Sequence, residues 1–286
     1  MLYVNWFENL LDTDDFITTD KYFYASKNSK YIYKKRDFLL KFSRSWRGNF
    51  INPALIDKLL LQKKILVTGH SDLSTKFGTL RYLKMFGFKK IFGVNTINFE
   101  KFAESIPLGL TNFTNESPMH RIYGNTDHFR SAHKYSEVRS EYDGRVYGNF
   151  SLHNISERIG LAHIANRNKN IVFIEPDMSE KGRINYLVNL REFSFVLTPQ
   201  GNGFDTHRLW ETLYMGGTPV IKRCNYLPKI LSQLPVIEVE NWEEINDSSR
   251  LESLWLDAQN KRNNLQYLES VYWINRFNKL DNDFLS

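Results

Sequence analysis

Between Pro199 and Glu211 the sequence PQGNGFDTHRLWE brings glycines, carboxylates, an imidazole and a guanidinium into one short stretch. Gly201 and Gly203 suit a loop whose backbone N–H groups approach an anion closely, and a helix opening after the loop would add the positive end of its dipole. Asn202, Asp205, Thr206, His207, Arg208 and Glu211 fall within ten positions of this loop. The chemistry that fits is the holding of a phosphate. The same residues also suit an ordinary strand-to-helix turn in which Asp205 or Thr206 caps the helix. A second set, His70 and Asp72 in the sequence TGHSD, offers an imidazole and a carboxylate able to take a proton from a hydroxyl, although Asp72 is equally suited to capping the helix that follows. A third set, with His120, Asp127, His128 and His133, matches no zinc-ligand spacing and reads as a polar inter-domain or acceptor-facing segment.

These residues need elements to position them. Phe193–Thr198 reads as a buried strand ending at Pro199, His207–Met215 as a helix stopped by Gly216-Gly217, and Pro219–Lys222 as the next strand. From Arg145 onward the alternation is regular. It predicts strands at 146–152, 171–175, 193–198, 219–222 and 235–239, with helices at 156–165, 183–190, 207–215 and 227–231 between them. Ahead of it, Lys64–Gly69 and Ile91–Asn95 read as strands flanking a helix over 74–86. The fold class that follows is α/β, with two Rossmann-like, doubly wound parallel-sheet domains enclosing a cleft. The boundaries are 1–143 for an N-terminal domain, 144–270 for a C-terminal domain, and 271–286 for a helix able to pack back on the first. Ser249–Phe277 reads as one or two helices.

Composition narrows the function classes. The chain has 286 residues, 42% of them apolar and 15% aromatic, which is enough for two modest cores. One cysteine, Cys224, precludes an internal disulfide and a cysteine-rich metal site. The net charge of +6 favours an anionic partner. Tyr31–Arg47 interleaves basic and aromatic residues in a manner compatible with single-stranded nucleic acid or, more plainly, with an amphipathic segment. The acidic start MLYVNWFENLLDTDDF does not read as a signal peptide, and no apolar run is long enough to span a membrane, so a cytoplasmic location is expected, with peripheral membrane contact still open. Gly201-Asn202-Gly203 lacks the third glycine of the dinucleotide fingerprint and follows a late strand, which argues against an oxidoreductase.

The stretch FVLTPQGNGFDTHRLWETLYMGGTPVI resembles the nucleotide-binding segment of exostosin-like glycosyltransferases, particularly the group containing the ribitol xylosyltransferase. The likeness lies in the proline, the glycine loop, the acidic residue, the arginine, and the later acidic residue before G-x-x-P-V/I. A looser likeness extends to the α1,3-fucosyltransferase type. Tyr147-Gly148-Asn149-Phe150-Ser151, with Arg158 on the next helix, is similar to the opening of the C-terminal domain in these enzymes, whereas the N-terminal half is similar only through TGHSD and its order of elements.

The resemblance implies a GT-B architecture, with the acceptor bound by the N-terminal domain (1–143) and the nucleotide sugar by the C-terminal domain (144–270), and transfer of a sugar from a UDP- or GDP-sugar donor to a hydroxyl of a glycan or related acceptor. Arg208, Arg158 and the N–H groups of Gly201–Gly203 would stabilise the leaving diphosphate. Glu211 or Asp205 would take the ribose, and Tyr147, Asn149, Pro199 and Gln200 would line the base and sugar pockets. Asn202, Thr206 and His207 complete the expected donor site. The catalytic base would be Asp72, backed by His70, with Asp127 and His128 also open to that role. No Asp-x-Asp pair marks a strand end, so inversion without a metal or other cofactor is expected. The alternative reading is a non-catalytic nucleotide- or polyanion-binding module.

Overall fold

The computed structural model describes residues 16–19, 22–24, 32–34, 65–68, 74–75, 77–85, 89–111, 118–152, 156–269, 272–273 and 275–276. His70 and Asp72 lie outside these residues, as does most of the basic and aromatic run at 31–47.

Strands β1 (Phe16–Thr19), β2 (Tyr22–Tyr24), β3 (Ile32–Lys34), β4 (Ile65–Thr68), β5 (Lys90–Gly93) and β6 (Ala103–Ser105) form one sheet in the order β3-β2-β1-β4-β5-β6. Helix α1 (Phe77–Met85) carries the chain from β4 to β5. β1, β4, β5 and β6 run parallel, as the sequence predicts for this half, but β2 and β3 are antiparallel to their neighbours. The expectation of a wholly parallel N-terminal sheet is therefore corrected. Only Asp20 and Lys21 separate β1 from β2, a spacing that fits a hairpin and is far too short for a parallel crossover.

Two helices, α2 (Pro118–Tyr123) and α3 (Thr126–Tyr135), occupy the polar segment that sequence periodicity leaves without elements. Asn125 caps α3, its side-chain oxygen accepting the Asp127 N–H at 3.0 Å. Phe129 and Ala132 of α3 are buried in the same core cluster as Leu187 and Leu190, which lie on the C-terminal side of the sequence boundary.

The second sheet contains β7 (Val146–Gly148), β8 (Ile171–Phe173), β9 (Phe195–Leu197), β10 (Pro219–Lys222) and β11 (Ile237–Val239), all parallel, in the order β11-β10-β9-β7-β8. The connecting helices are α4 (Ser156–Ala165), α5 (Glu180–Glu192) and α6 (His207–Tyr214). Because side chains alternate across a strand, Tyr147, Val196 and Ile221 face Leu187, Leu190, Leu209, Trp210 and Leu213 of α5 and α6. Val146, Phe195, Leu197 and Val220 face the other way, in a core shared with α4 and with Leu251 and Trp255 of α7 (Ser248–Asn260). Both faces of the central strands are thus covered, as a parallel sheet requires. The segment predicted as a helix over 227–231 is a 3-10 helix at Lys229–Gln233, and further 3-10 helices at Trp242–Asn246 and Arg262–Leu268 precede and follow α7.

β7 is the first strand of this sheet. The chain leaves it for β8 on one side and returns to β9 on the other. The topological switch therefore falls between β7 and β9, and the crevice at their carboxyl ends is where open α/β sheets bind ligands. The two sheets meet through their carboxyl-end loops. Asn98 Nδ2 donates to the Leu227 carbonyl at 2.8 Å, and Ser105 Oγ to the Tyr226 carbonyl at 2.7 Å. Near the C-terminus, Trp273 is fully buried and Arg276 pairs with Glu104 of β6 at 2.6 Å. No helix among the described residues is long and apolar enough to cross a membrane.

Candidate functional site

The loop after β9 is held from two sides. Arg158, on the first turn of α4, donates from Nε to the Gln200 carbonyl at 2.9 Å and from an η nitrogen to the Ser151 carbonyl at 3.1 Å, which joins the loops after β7 and β9 across the switch point. Its second η nitrogen lies 3.1 Å from where a Cβ on Gly201 would sit. On the other side, a Cβ on Gly203 would overlap the Asn95 side chain. Both glycines therefore serve close approach within the protein. Gly201 N–H donates to the Gly203 carbonyl at 2.9 Å, so that N–H is committed inside the loop and is not turned toward a ligand.

Asp205 follows immediately and turns inward. Its side chain accepts the Leu108 N–H at 2.8 Å and the Trp210 Nε1–H at 2.7 Å, while its own N–H donates to Asn95 Oδ1 at 2.8 Å. It is 3% exposed, and burial pushes its pKa up to about 7 although the N–H donors of Leu108 and Trp210 oppose the shift. His207 continues this connection. Its Nδ1 lies 2.8 Å from the Gly109 carbonyl, which can only accept, so that nitrogen carries the proton. Asn95, Asp205 and His207 together fasten the loops after β5 and β6 to the start of α6. Asn95 sits at φ 54°, a left-handed conformation that asparagine adopts more readily than other side chains.

Glu211 also faces inward, at 3% exposed. One oxygen accepts from Arg183 at 2.8 Å and the other from the Tyr186 hydroxyl at 2.9 Å. Burial alone would raise the Glu211 pKa, but the Arg183 guanidinium outweighs it and the net shift is downward. Arg183 is itself 1% exposed and is packed against the rings of Tyr123, Phe129 and Tyr186 at 4.7, 5.4 and 5.2 Å. Removing either member of such a pair leaves an uncompensated buried charge, at a cost of about 3–5 kcal/mol.

Arg208 contrasts with these groups. It lies one turn before Glu211 on α6 and is half-buried, and its guanidinium sits 5.9 Å from the centre of the Phe150 ring. Among the described residues no carboxylate forms an ion pair with it, and its Nε is buried without a hydrogen-bond partner. Its charge also reaches Arg158, whose pKa falls to about 10, first through burial and then through repulsion by Arg208. Two guanidinium groups thus share the crevice at the switch point. Beside them, Thr206 is the N-cap of α6 but makes no cap bond with its side chain, and its buried hydroxyl has no partner among the described residues. Such a place favours an anion, because an anion would relieve the repulsion between the arginines and satisfy their donors.

A cavity of about 250 Å³ flanks this crevice at the carboxyl ends of β9 and β10, lined in part by Glu157, Thr198, Gln200, Phe204, Thr206 and Lys222. Neither Arg158 nor Arg208 lines it. Gln200, whose carbonyl holds Arg158, and Thr206 form the wall between cavity and arginines. Phe204 stacks on Tyr226 with ring centres 4.5 Å apart and planes 4° from parallel, which closes one side.

The remaining expected site residues are placed as follows. Tyr147 is 1% exposed in the core, its hydroxyl interacting with the Asn189 and Asn149 side chains, and Asn149 is buried beside it. Asn202 is exposed. Asp127 pairs with Arg130 on the surface, and His128 is buried with Nδ1 3.0 Å from the Ile122 carbonyl. The structure thus brings Arg158, Gln200, Thr206 and Arg208 together around one crevice and turns Asp205, Glu211 and Tyr147 into the interior. Sequence reasoning misses Asn95, Arg183 and Tyr186. Nothing local marks them, since their partners lie far along the chain. No group of three or more His, Cys, Asp or Glu side chains gathers as a metal site among the described residues.

No family model matches the chain, and no curated protein matches it. Among solved structures it is similar to a D-isomer specific 2-hydroxyacid dehydrogenase from Lactobacillus delbrueckii ssp. bulgaricus in its NAD-complexed form. That match has 10% identity and covers 81% of this chain and 94% of the other, with a TM-score of 0.19, too low to transfer a fold or an activity.

Proposed function

We propose that the protein is a glycosyltransferase of the two-domain GT-B type, moving a sugar from a UDP- or GDP-sugar to a hydroxyl of a glycan or related acceptor with inversion. The observation that carries this reading is the pair Arg158 and Arg208 at the switch point of the C-terminal sheet, with Arg208 in no ion pair among the described residues. In such a transfer the acceptor oxygen bonds to the anomeric carbon while the bond from that carbon to the diphosphate oxygen breaks. The electron pair leaves with the diphosphate. The two guanidinium groups would stabilise this developing charge, and the start of α6 would add its dipole. The adjoining cavity would receive an uncharged portion of the donor. The proton released by the acceptor is assigned to Asp72, with His70 behind it, which follow β4 in the sequence and lie outside the described residues.

A thermal-shift screen with UDP- and GDP-sugars, followed by donor turnover, tests the proposal. Stabilisation by a nucleotide sugar together with release of the nucleoside diphosphate supports it. Folded protein that no donor stabilises or reacts with would sink it, and binding without turnover would favour a non-catalytic nucleotide-binding module.

A further inference from the structure

Arg208 and Glu211 stand three residues apart on one helix, the spacing at which an arginine and a glutamate face each other and pair. They do not pair here. Both oxygens of Glu211 are occupied, one by Arg183 of α5 and the other by Tyr186. Arg183 is otherwise an expensive residue to bury. One of its η nitrogens donates to Glu211 and to the Tyr123 carbonyl, but among the described residues its Nε and the other η nitrogen have no hydrogen-bond partner, and three aromatic rings pack against the guanidinium instead. A guanidinium buried at this cost, with Glu211 as its sole carboxylate partner among the described residues, must have its effect through that carboxylate.

We propose that Arg183 is a positioning residue of the anion site: by engaging Glu211 it prevents an Arg208–Glu211 ion pair and leaves the Arg208 guanidinium directed at the ligand. The inference rests on the reading of Arg158 and Arg208 as an anion site. Without the Arg183 charge, Glu211 would keep a buried negative charge, and the one permanent cation on its own helix is Arg208, three residues before it, beside His207, which also acts on Glu211. An arginine drawn into that pair is lost to a diphosphate. Tyr186 does not substitute for Arg183, because a hydroxyl can satisfy one oxygen but cannot neutralise the charge.

The test is titration of the full chain with inorganic pyrophosphate by calorimetry at low ionic strength, run beside thermal melts, for wild type, R183Q, E211Q and R183Q/E211Q. R183Q is expected to bind about tenfold more weakly, a change set by competition of one carboxylate for one guanidinium. E211Q melts lower, since it strands the Arg183 charge, yet binds within about threefold of wild type because no carboxylate competes for Arg208. The double variant binds like wild type as well. Affinity and stability therefore rank the variants differently. A purely structural role would make affinity follow the melting temperature across all four proteins, and that outcome, or wild-type affinity in R183Q, overturns the proposal. Should R183Q fail to fold, R183K restores a cation opposite Glu211. Binding near wild type then supports the proposal, and loss of binding refutes it. Failure of the anion-site reading is separately visible, as pyrophosphate binding that is absent from wild type or unchanged in R208A.

Discussion

Burial raises the Asp205 pKa from 3.8 to about 7, and this has a calculable effect on stability. Between those two values the folded protein keeps the Asp205 proton and the unfolded chain has lost it. The stability that this group contributes is fully present below pH 4 and is lost as the pH rises through 7. At 1.36 kcal/mol per pKa unit, a shift of about 3 units corresponds to roughly 4 kcal/mol. The group is only 3% exposed, so solvent screening does not reduce this figure appreciably. Other carboxylates, among them Glu211 and Asp143, have lowered values and contribute the opposite slope, so wild type alone does not isolate the effect. D205N isolates it by removing the titration. Urea unfolding followed by tryptophan fluorescence, measured at intervals from pH 4 to 8.5, gives the difference in unfolding free energy between wild type and D205N. That difference is expected to fall by about 4 kcal/mol across the range, to the disadvantage of wild type. A flat difference, or one that grows with pH, would refute the assignment of Asp205 as a buried, proton-retaining link between the 106–110 segment and α6.

Three further substitutions examine the loop and its supports. W210F removes the Nε1–H donor to Asp205, so the descending limb of the pH–stability curve is expected to move to higher pH, and the same urea series shows it. G203A places a methyl group into Asn95, whose oxygen is already engaged by the Asp205 N–H, and a loss of about 1–3 kcal/mol is expected. G203A/N95A should be less destabilised than the sum of its parts, and strict additivity in a double-mutant cycle would count against the contact. R158Q breaks the tie between the loops after β7 and β9, with an expected cost of about 1.5–3 kcal/mol in denaturant titration and a simultaneous loss of nucleoside diphosphate affinity.

The sequence makes the elements of the C-terminal half legible because they are built from local patterns. α4 occupies the predicted 156–165, marked by the spacing of Ile159, Leu161, Ala162, Ile164 and Ala165, and β10 the predicted 219–222, marked by an apolar run with Gly216-Gly217 and Pro219 at its start. Strands β1 to β3 were not legible. They are three or four residues long, and in so short a run an alternating pattern cannot be told from scatter. Helices α2 and α3 escape for the opposite reason. Their exposed faces carry His, Arg, Asp and Lys, and few buried residues, such as Phe129 and Ala132, remain to reveal the period. At the site, Thr206 and Arg208 are nameable because glycines and a strand end flank them, and Arg158 through the family resemblance. The partners of Asp205 and Glu211 were not, because Leu108 lies 97 residues away and Arg183 lies 28 away. A carboxylate near a glycine loop looks the same in sequence whether it meets a ribose or a buried guanidinium.

The central claim is that Arg208 is kept unpaired to meet a nucleoside diphosphate. Calorimetric titration of wild type and R208A with UDP and GDP, together with their unfolding free energies, tests it most directly. Charge-assisted bonds to phosphate are worth about 1.5–3 kcal/mol, so R208A should lose roughly ten- to a hundredfold in affinity. Its stability should be unchanged or slightly higher, because the repulsion on Arg158 is relieved. Wild-type affinity in R208A, or a variant that is destabilised while binding is unimpaired, would contradict the account.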